Sequence, residues 1–288
     1  MPSTDLSTEI ANGLNEVLAQ HGIETRITSQ DIVVTENTVS DGVLGEEISG
    51  AIINAIWPSI HSAKVFHYTS FTGGECILKS GVLRMTNIEK RYSESEIQAF
   101  CETHQLTGYL HLQEDGEPTY RNLIMSNTFY SSFTTTELSS EDEEYFWQNF
   151  AGSDGFRLTF EVVADNCNFR KMYYEKVDGE PIKLLSDVTT LIRERFNREF
   201  CLAGISRLCA FYLPGSKYGQ EKEYRLLHRV WDNSGPQPIG HGPHSYIEIP
   251  FETPTVGYNL RMIQICGNEQ PAFSTGVPFV FRSTHGSA

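Results

Sequence analysis

The sequence predicts an α+β fold, and three observations lead to it. Short runs rich in Val, Ile, Thr, Tyr and Phe recur along the chain between Gly, Pro and Asp clusters, which is strand punctuation. A few amphipathic stretches with apolar residues at helical spacing interrupt them. The two kinds of segment do not alternate regularly, so a βαβ series on a parallel sheet is not expected. With 288 residues and 39% hydrophobic content the chain can bury a full core. We expect one main domain over 63–288 and a small N-terminal α/β extension over 1–62.

In the extension, Ser7 is placed to cap a helix that carries Ile10, Leu14 and Leu18 on one face and stops at His21-Gly22. Ile23 to Thr35 then collects β-formers around Ser29-Gln30-Asp31, the expected hairpin turn. A second apolar helix runs from Gly45 to Ile56 and closes at Trp57-Pro58.

Val65-Phe66-His67-Tyr68-Thr69-Ser70 begins the main domain. An apolar pair leads into a His-Tyr-Thr tip, Gly73-Gly74 opens a short helical turn with Ile77 and Leu78, and Ser80-Gly81 stops it before Val82-Leu83. The unit reads as strand, polar tip, short helix, strand. It sets a histidine and a hydroxyl beside free helix N-terminal amides, which suits a ribose and a neighbouring diphosphate.

Ile88 to His104 is expected as a helix with a solvated acidic face, and Leu106 to Tyr120 as a hairpin or insertion around Glu114-Asp115-Gly116. Asn122 to Thr135 is a long β-prone run with hydroxyl residues between apolar ones. Ser139 or Ser140 caps a helix reaching Phe150, with Glu141, Asp142 and Glu143 suited to its N-terminal dipole and Gly152 beyond its end. Gly155 to Val163 and Phe169 to Val177 read as strands, and Ser186 to Cys201 as a helix. Ile205 to Leu213 reads as a hydrophobic strand. Glu221 to Leu227 is a further strand, sending Glu221, Glu223 and Arg225 to one side. Tyr246 to Phe251 and Leu260 to Cys266 complete the strands.

A formal charge of -15, from 22 basic and 37 acidic side chains, argues against nucleic acid as a partner. Six cysteines show no Cys-x-x-Cys pair and read as buried reduced thiols of a cytoplasmic protein. No apolar run approaches membrane length and no basic-then-apolar leader opens the chain, so no membrane partner is expected. Delivery into a target cell without a classical signal fits the same pattern. His241 and His244 have no evident third ligand, so no metal is expected. The P-loop, Gly-x-Ser-x-Gly and Gly-x-Gly-x-x-Gly fingerprints do not occur.

Candidate chemistry falls in three places. His67 and Thr69 share a strand face. They either hydrogen-bond a ribose diol and a carboxamide, or serve the fold as a satisfied strand histidine and an N-cap. Ser131, Ser132 and Thr134 either position a ligand or are ordinary strand residues. Glu221 and Glu223 form a carboxylate pair that is costly to bury without a cation. They either bond a ribose and stabilise the charge that develops when a glycosidic bond to a cationic base ionises, or pair with Lys222 and Arg225 on a solvated edge.

Phe66-His67-Tyr68-Thr69 with Ile77-Leu78-Lys79-Ser80-Gly81-Val82-Leu83 resembles the opening of the ADP-ribosyltransferase superfamily, where a His-x-Thr element precedes an Ile-Leu-x-x-Gly-x-Leu turn. It is also similar to a large set of bacterial proteins of unknown function with Tyr-His-Tyr-Thr-like starts. In those, a Trp-containing helix followed by Gly and a Glu-Lys-Glu-Tyr/Trp-Arg strand recur. Trp147 to Phe150, Gly155, and Glu221 to Arg225 follow here in the same order. The resemblance covers most of residues 63–270.

It implies split, mostly antiparallel sheets with flanking helices, and NAD+ as co-substrate in the cleft. On that pattern His67 holds the adenine-side ribose, Thr69 lies near the nicotinamide with Tyr68 between them, and Ser131, Ser132 and Thr134 brace the site. Tyr130 or Tyr92 stacks on the nicotinamide. Glu223 is the catalytic carboxylate and Glu221 positions the acceptor nucleophile. A first-motif Arg usually accompanies a Glu-x-Glu third motif, and His67 stands here instead, so the subclass and acceptor are unassigned. The implied activity is transfer of ADP-ribose to a protein acceptor, in a bacterial toxin, effector or defence setting. NAD+ hydrolysis by water and non-catalytic nucleotide or peptide binding are the rival readings.

Overall fold

The computed structural model describes residues 5–42, 47–90, 96–118, 127–164, 168–177, 179–213, 221–230, 235–255, 257–271 and 274–282. These residues form seven α-helices and fourteen mostly antiparallel strands, an α+β architecture. Among them no helix is long and apolar enough to cross a membrane.

The chain divides into two compact units, Met1–Pro58 with Asn87–Thr128 and Tyr173–Tyr218, and Ser59–Thr86 with Phe129–Met172 and Gly219–Ala288. The expected boundary near residue 62 falls close to the first crossover. The N-terminal stretch groups with two later segments of the chain, and its helices pack on helices of the 173–218 segment. In the first unit, helix Leu6–Gln20, which buries Ile10, Leu14, Val17 and Leu18, packs against helix Lys183–Phe196, which buries Leu184, Leu185, Val188 and Ile192. Strands Ile32–Val34, Thr38–Asp41 and Glu199–Cys201 form its small sheet.

Several local expectations are corrected in this unit. Asp5 is the first N-cap residue, and the Ser7 hydroxyl bonds its carboxylate. Ser29–Asp31 is a 3₁₀ turn closed by a Thr28–Asp31 capping box, so the strand starts only at Ile32. Ile205–Ala210 is helical, with a two-residue strand Tyr212–Leu213 behind it. All of the run but Arg207 is buried, and a run buried to that extent has too little periodicity to separate helix from strand.

The second unit carries the candidate site, and its elements are labelled in chain order. Strand β1 (Ser62–Thr69), helix α1 (Phe71–Ser80) and strand β2 (Val82–Asn87) realise the strand-tip-helix-strand reading. Ser70, not Thr69, caps α1 by accepting from the Gly73 amide at 3.3 Å. Gly81 ends the helix at φ 66°, a left-handed conformation that glycine adopts without steric cost. Strand β3 (Thr128–Thr135) leads to α2 (Ser140–Phe146), capped by Ser139 and continued by one π-helical turn over Trp147–Ala151. Then come β4 (Phe156–Ala164), β5 (Phe169–Lys171), β6 (Glu223–Arg229), β7 (Tyr246–Pro250), β8 (Tyr258–Gly267) and β9 (Phe279–Phe281).

These nine strands form one sheet in the order β7-β2-β3-β1-β4-β8-β9, with β6 joined to β3 and β5 joined to β6. Strand β1 pairs with β4 along its whole length, from Ser62↔Val163 to Thr69↔Phe156. It pairs with β3 only at Val65↔Thr135 and Phe66↔Thr134. Three partners share the two edges of β3, so its neighbours change along its length. Beyond Phe66 the two strands part and a cleft opens.

Val65, Met85, Phe129, Phe133, Leu158, Phe160, Phe169, Leu226 and Leu260 build the main core of the unit, and Tyr68, Phe146, Trp147, Ala151 and Cys266 a smaller one. Of the described cysteines, Cys76 is exposed and Cys201 half-buried, against the expectation that all would be buried.

Candidate functional site

Where β1 leaves β3 there is a cavity of about 260 Å³, wholly within the second unit. Phe66, Tyr68, Phe133, Phe146 and Phe150 give it aromatic walls; His67, Ser132, Thr134, Glu221, Glu223 and Arg225 give it polar groups.

Strand alternation builds the polar side. Tyr130, Ser132 and Thr134 share one face of β3, and Glu223 and Arg225 share one face of β6. The Ser132 hydroxyl donates to Glu223 Oε1, Thr134 Oγ1 donates to the Glu221 carbonyl at 2.8 Å, and the Arg225 guanidinium lies 4.7 Å from the Tyr130 ring centroid. Arg225 also grips Glu223 in a two-point ion pair, Nε to Oε1 at 2.6 Å and Nη2 to Oε2 at 3.0 Å. Glu223 is 7% exposed and Arg225 5%. A carboxylate at that depth is tolerated because the guanidinium offsets its lost hydration.

The solvated-edge alternative therefore does not describe Glu223. Glu221 is half-buried, with the Tyr145 hydroxyl 3.5 Å from its Oε1, and Lys222 pairs with Asp142 at 2.9 Å. Lys222 stands between the two glutamates at φ 43°, a left-handed conformation that costs a non-glycine residue about 1–2 kcal/mol.

His67 Nδ1 lies 3.0 Å from the Ser132 carbonyl, which only accepts, so Nδ1 carries the proton and Nε2 is an acceptor. Burial lowers the His67 pKa, outweighing the opposite pull of that carbonyl, and the ring is neutral at physiological pH. Ser132 thus links the histidine through its backbone and the carboxylate through its side chain.

On the aromatic side Tyr68 stacks on Phe146 at 5.1 Å, and Phe146 leans on Phe150 at 5.5 Å. Trp147 meets the Tyr68 ring edge-on at 5.4 Å. The Tyr68 hydroxyl is buried, and burial pushes its pKa up despite the nearby Arg157. Phe150 ends the ladder on the π-helical turn, 46% exposed.

The structure thus gathers His67, Tyr68, Ser132, Thr134, Glu221 and Glu223 around one cavity. Three expected residues lie elsewhere. Thr69 packs its hydroxyl over Gly73, where an added Cβ would lie 2.5 Å from it. Ser131 is on the opposite face of β3 and donates to the Arg84 carbonyl at 3.2 Å. Tyr130 lies beneath Arg225 and lines no part of the cavity. Tyr92, the other candidate for a stacking ring, is outside the described residues. No described residue of α1 lines the cavity either, so its amides do not contribute.

The cleft runs along the edge of β1, not over one face. Consecutive residues Phe66, His67 and Tyr68 therefore line it, and two-residue spacing does not select among them. Sequence reasoning had Arg225 only as a solvated partner and missed Phe66, Phe133, Phe146 and Phe150. For Arg225 the signal was present, since residues two apart on a strand face the same way. Among the described residues no group of three His, Cys, Asp or Glu side chains could hold a metal ion. No protein family, curated protein or solved structure matches the chain.

Proposed function

We propose that the second unit transfers ADP-ribose from NAD+ to a protein acceptor and releases nicotinamide. The reading is supported most by one arrangement: a buried carboxylate, Glu223, braced by the Ser132 hydroxyl and joined through Ser132 to a neutral His67, beneath aromatic walls. The groups fit the nicotinamide-ribose end of NAD+. A flat ring lies against Phe146 and Phe150, His67 Nε2 accepts from a ribose hydroxyl, and Glu223 stabilises the positive charge that develops on the sugar as the glycosidic bond breaks. The cavity, at about 260 Å³, is below the ~300–1,000 Å³ of typical ligand sites, so the rest of the dinucleotide extends outside it. On this account His67 and Glu223 grip one ribose, which revises the adenine-side role expected for His67.

Glu221 lines the same cavity and orients the acceptor. The charge of -15 favours a basic protein as that acceptor over nucleic acid. A toxin, effector or defence setting belongs to the same proposal. Incubation with NAD+ tests it: nicotinamide is released, ADP-ribose becomes attached to protein, and Glu223→Gln abolishes release while circular dichroism shows a retained fold. Full turnover by that variant would sink the assignment, and free ADP-ribose alone would move it to hydrolysis by water.

A further inference from the structure

We propose that Arg225 is a positioning residue for Glu223, holding the carboxylate ionised and aimed in a site that would otherwise neutralise it. The inference takes Glu223 as the catalytic carboxylate and so rests on the reading above, but the clamp itself is measurable without it. Its geometry is a rectangle of side chains on two adjoining strands. Arg225 is seated over Tyr130, Ser132 donates to Glu223, and the guanidinium fork closes on both Glu223 oxygens at 2.6 and 3.0 Å. Ring, hydroxyl and fork together fix the carboxylate plane, which a single lysine-type contact could not do.

The charged and titratable groups facing Glu223 come from several elements. Arg225 is on its own strand, Glu221 precedes it, and His67 on β1 reaches it through Ser132. Strand β5 supplies Arg170, fully buried and directly opposite Arg225 in the strand register, on the same sheet face. Arg170 is thus the rival cation, and the test must separate the two. A buried carboxylate stripped of its cation is favoured in its protonated form. A variant lacking the true clamp then binds one more proton folded than unfolded, and it loses stability as pH rises.

The experiment is thermal unfolding of the full chain between about pH 5 and pH 8, with nicotinamide release measured in parallel. The wild type is compared with Arg225→Met, Arg225→Lys, Arg170→Met and the double variant Glu223→Gln/Arg225→Met. The Tm deficit of Arg225→Met should widen as pH rises, and adding Glu223→Gln should remove that pH dependence. Arg225→Lys keeps the charge and should restore the pH profile, yet its kcat should stay about 100-fold low with KM little changed, because aim is lost.

A pH-independent deficit in Arg225→Met, or a widening deficit in Arg170→Met alone, would overturn the proposal. Wild-type turnover by Arg225→Lys would overturn the aiming role. If the wild type releases no nicotinamide, the catalytic reading fails while the thermal comparison still decides whether Arg225 is the clamp.

Discussion

At the scale of single residues, the site depends on Ser132 occupying two roles at once. Its carbonyl fixes the His67 tautomer and its hydroxyl braces Glu223. Ser132→Ala removes only the second, so it should lower kcat for nicotinamide release by about 10-fold or more while the His67 contact persists. The check is a KM and kcat comparison with the wild type. His67 gives a prediction in pH. Its folded pKa is lowered by burial, so the unfolded chain takes up a proton that the folded one refuses. The stability it contributes is full above the unfolded value of about 6.5 and is lost as pH falls below it. His67→Gln should therefore gain Tm relative to the wild type as pH drops from about 7 to about 5, read by thermal unfolding in matched buffers.

At the scale of elements, two glycines set how close the helices come to the sheet. An added Cβ at Gly74 would lie 2.3 Å from the Phe156 ring, and one at Gly155 would lie 2.2 Å from the Ala151 carbonyl oxygen and 2.4 Å from that of Thr69. Gly155 meets backbone on both sides and has nothing to push aside. Gly155→Ala should cost about 1–3 kcal/mol, measured by urea unfolding, and should reduce nicotinamide release because the same backbone carries the π-helical turn with Phe150. Phe150→Ala separates the two effects. Phe150 is 46% exposed, so its loss should barely change stability but weaken NAD+ binding, seen as a raised KM.

Elements also show what was legible in the sequence. The β1-α1-β2 unit could be read because Gly73-Gly74 and Gly81 bracket its helix, although the N-cap is Ser70 where the sequence pointed to Thr69. Strand alternation placed Glu223 and Arg225 on one side, but the sequence offered their pairing only as one alternative and on a solvated edge. The helix at Ile205–Ala210 could not be read, because burial of every residue but Arg207 erases its period. Thr69 and Ser131 were misplaced because a hydroxyl on a strand carries no mark of the face it will occupy until its neighbours are known. The aromatic walls were hidden for a related reason. Phe66, Phe133 and Phe146 look like core residues, and only the parting of β1 from β3 turns them towards a cavity.

At the scale of the whole molecule, the chain weaves between its two units, so each depends on segments far apart in sequence. Buried neutral histidines occur in both units, and they tie overall stability to pH. In the first unit, His104 donates from Nδ1 to the Phe100 carbonyl at 2.8 Å and accepts the Ile182 amide at Nε2, and burial lowers its pKa to about 4. In the second, burial also lowers His228, which bonds the Tyr258 hydroxyl at 2.9 Å. A lowered folded pKa means stability falls as pH drops below the unfolded value. For His104 the loss runs from about 6.5 down to about 4, where the folded form also protonates.

In the proposed function Glu223, held at the parting of β1 and β3, drives loss of nicotinamide from NAD+. Nicotinamide release by the purified full chain, wild type against Glu223→Gln, tests it most directly. The account predicts turnover by the wild type and none by Glu223→Gln at equal foldedness; equal release from both, or none from the wild type despite bound NAD+, would contradict it.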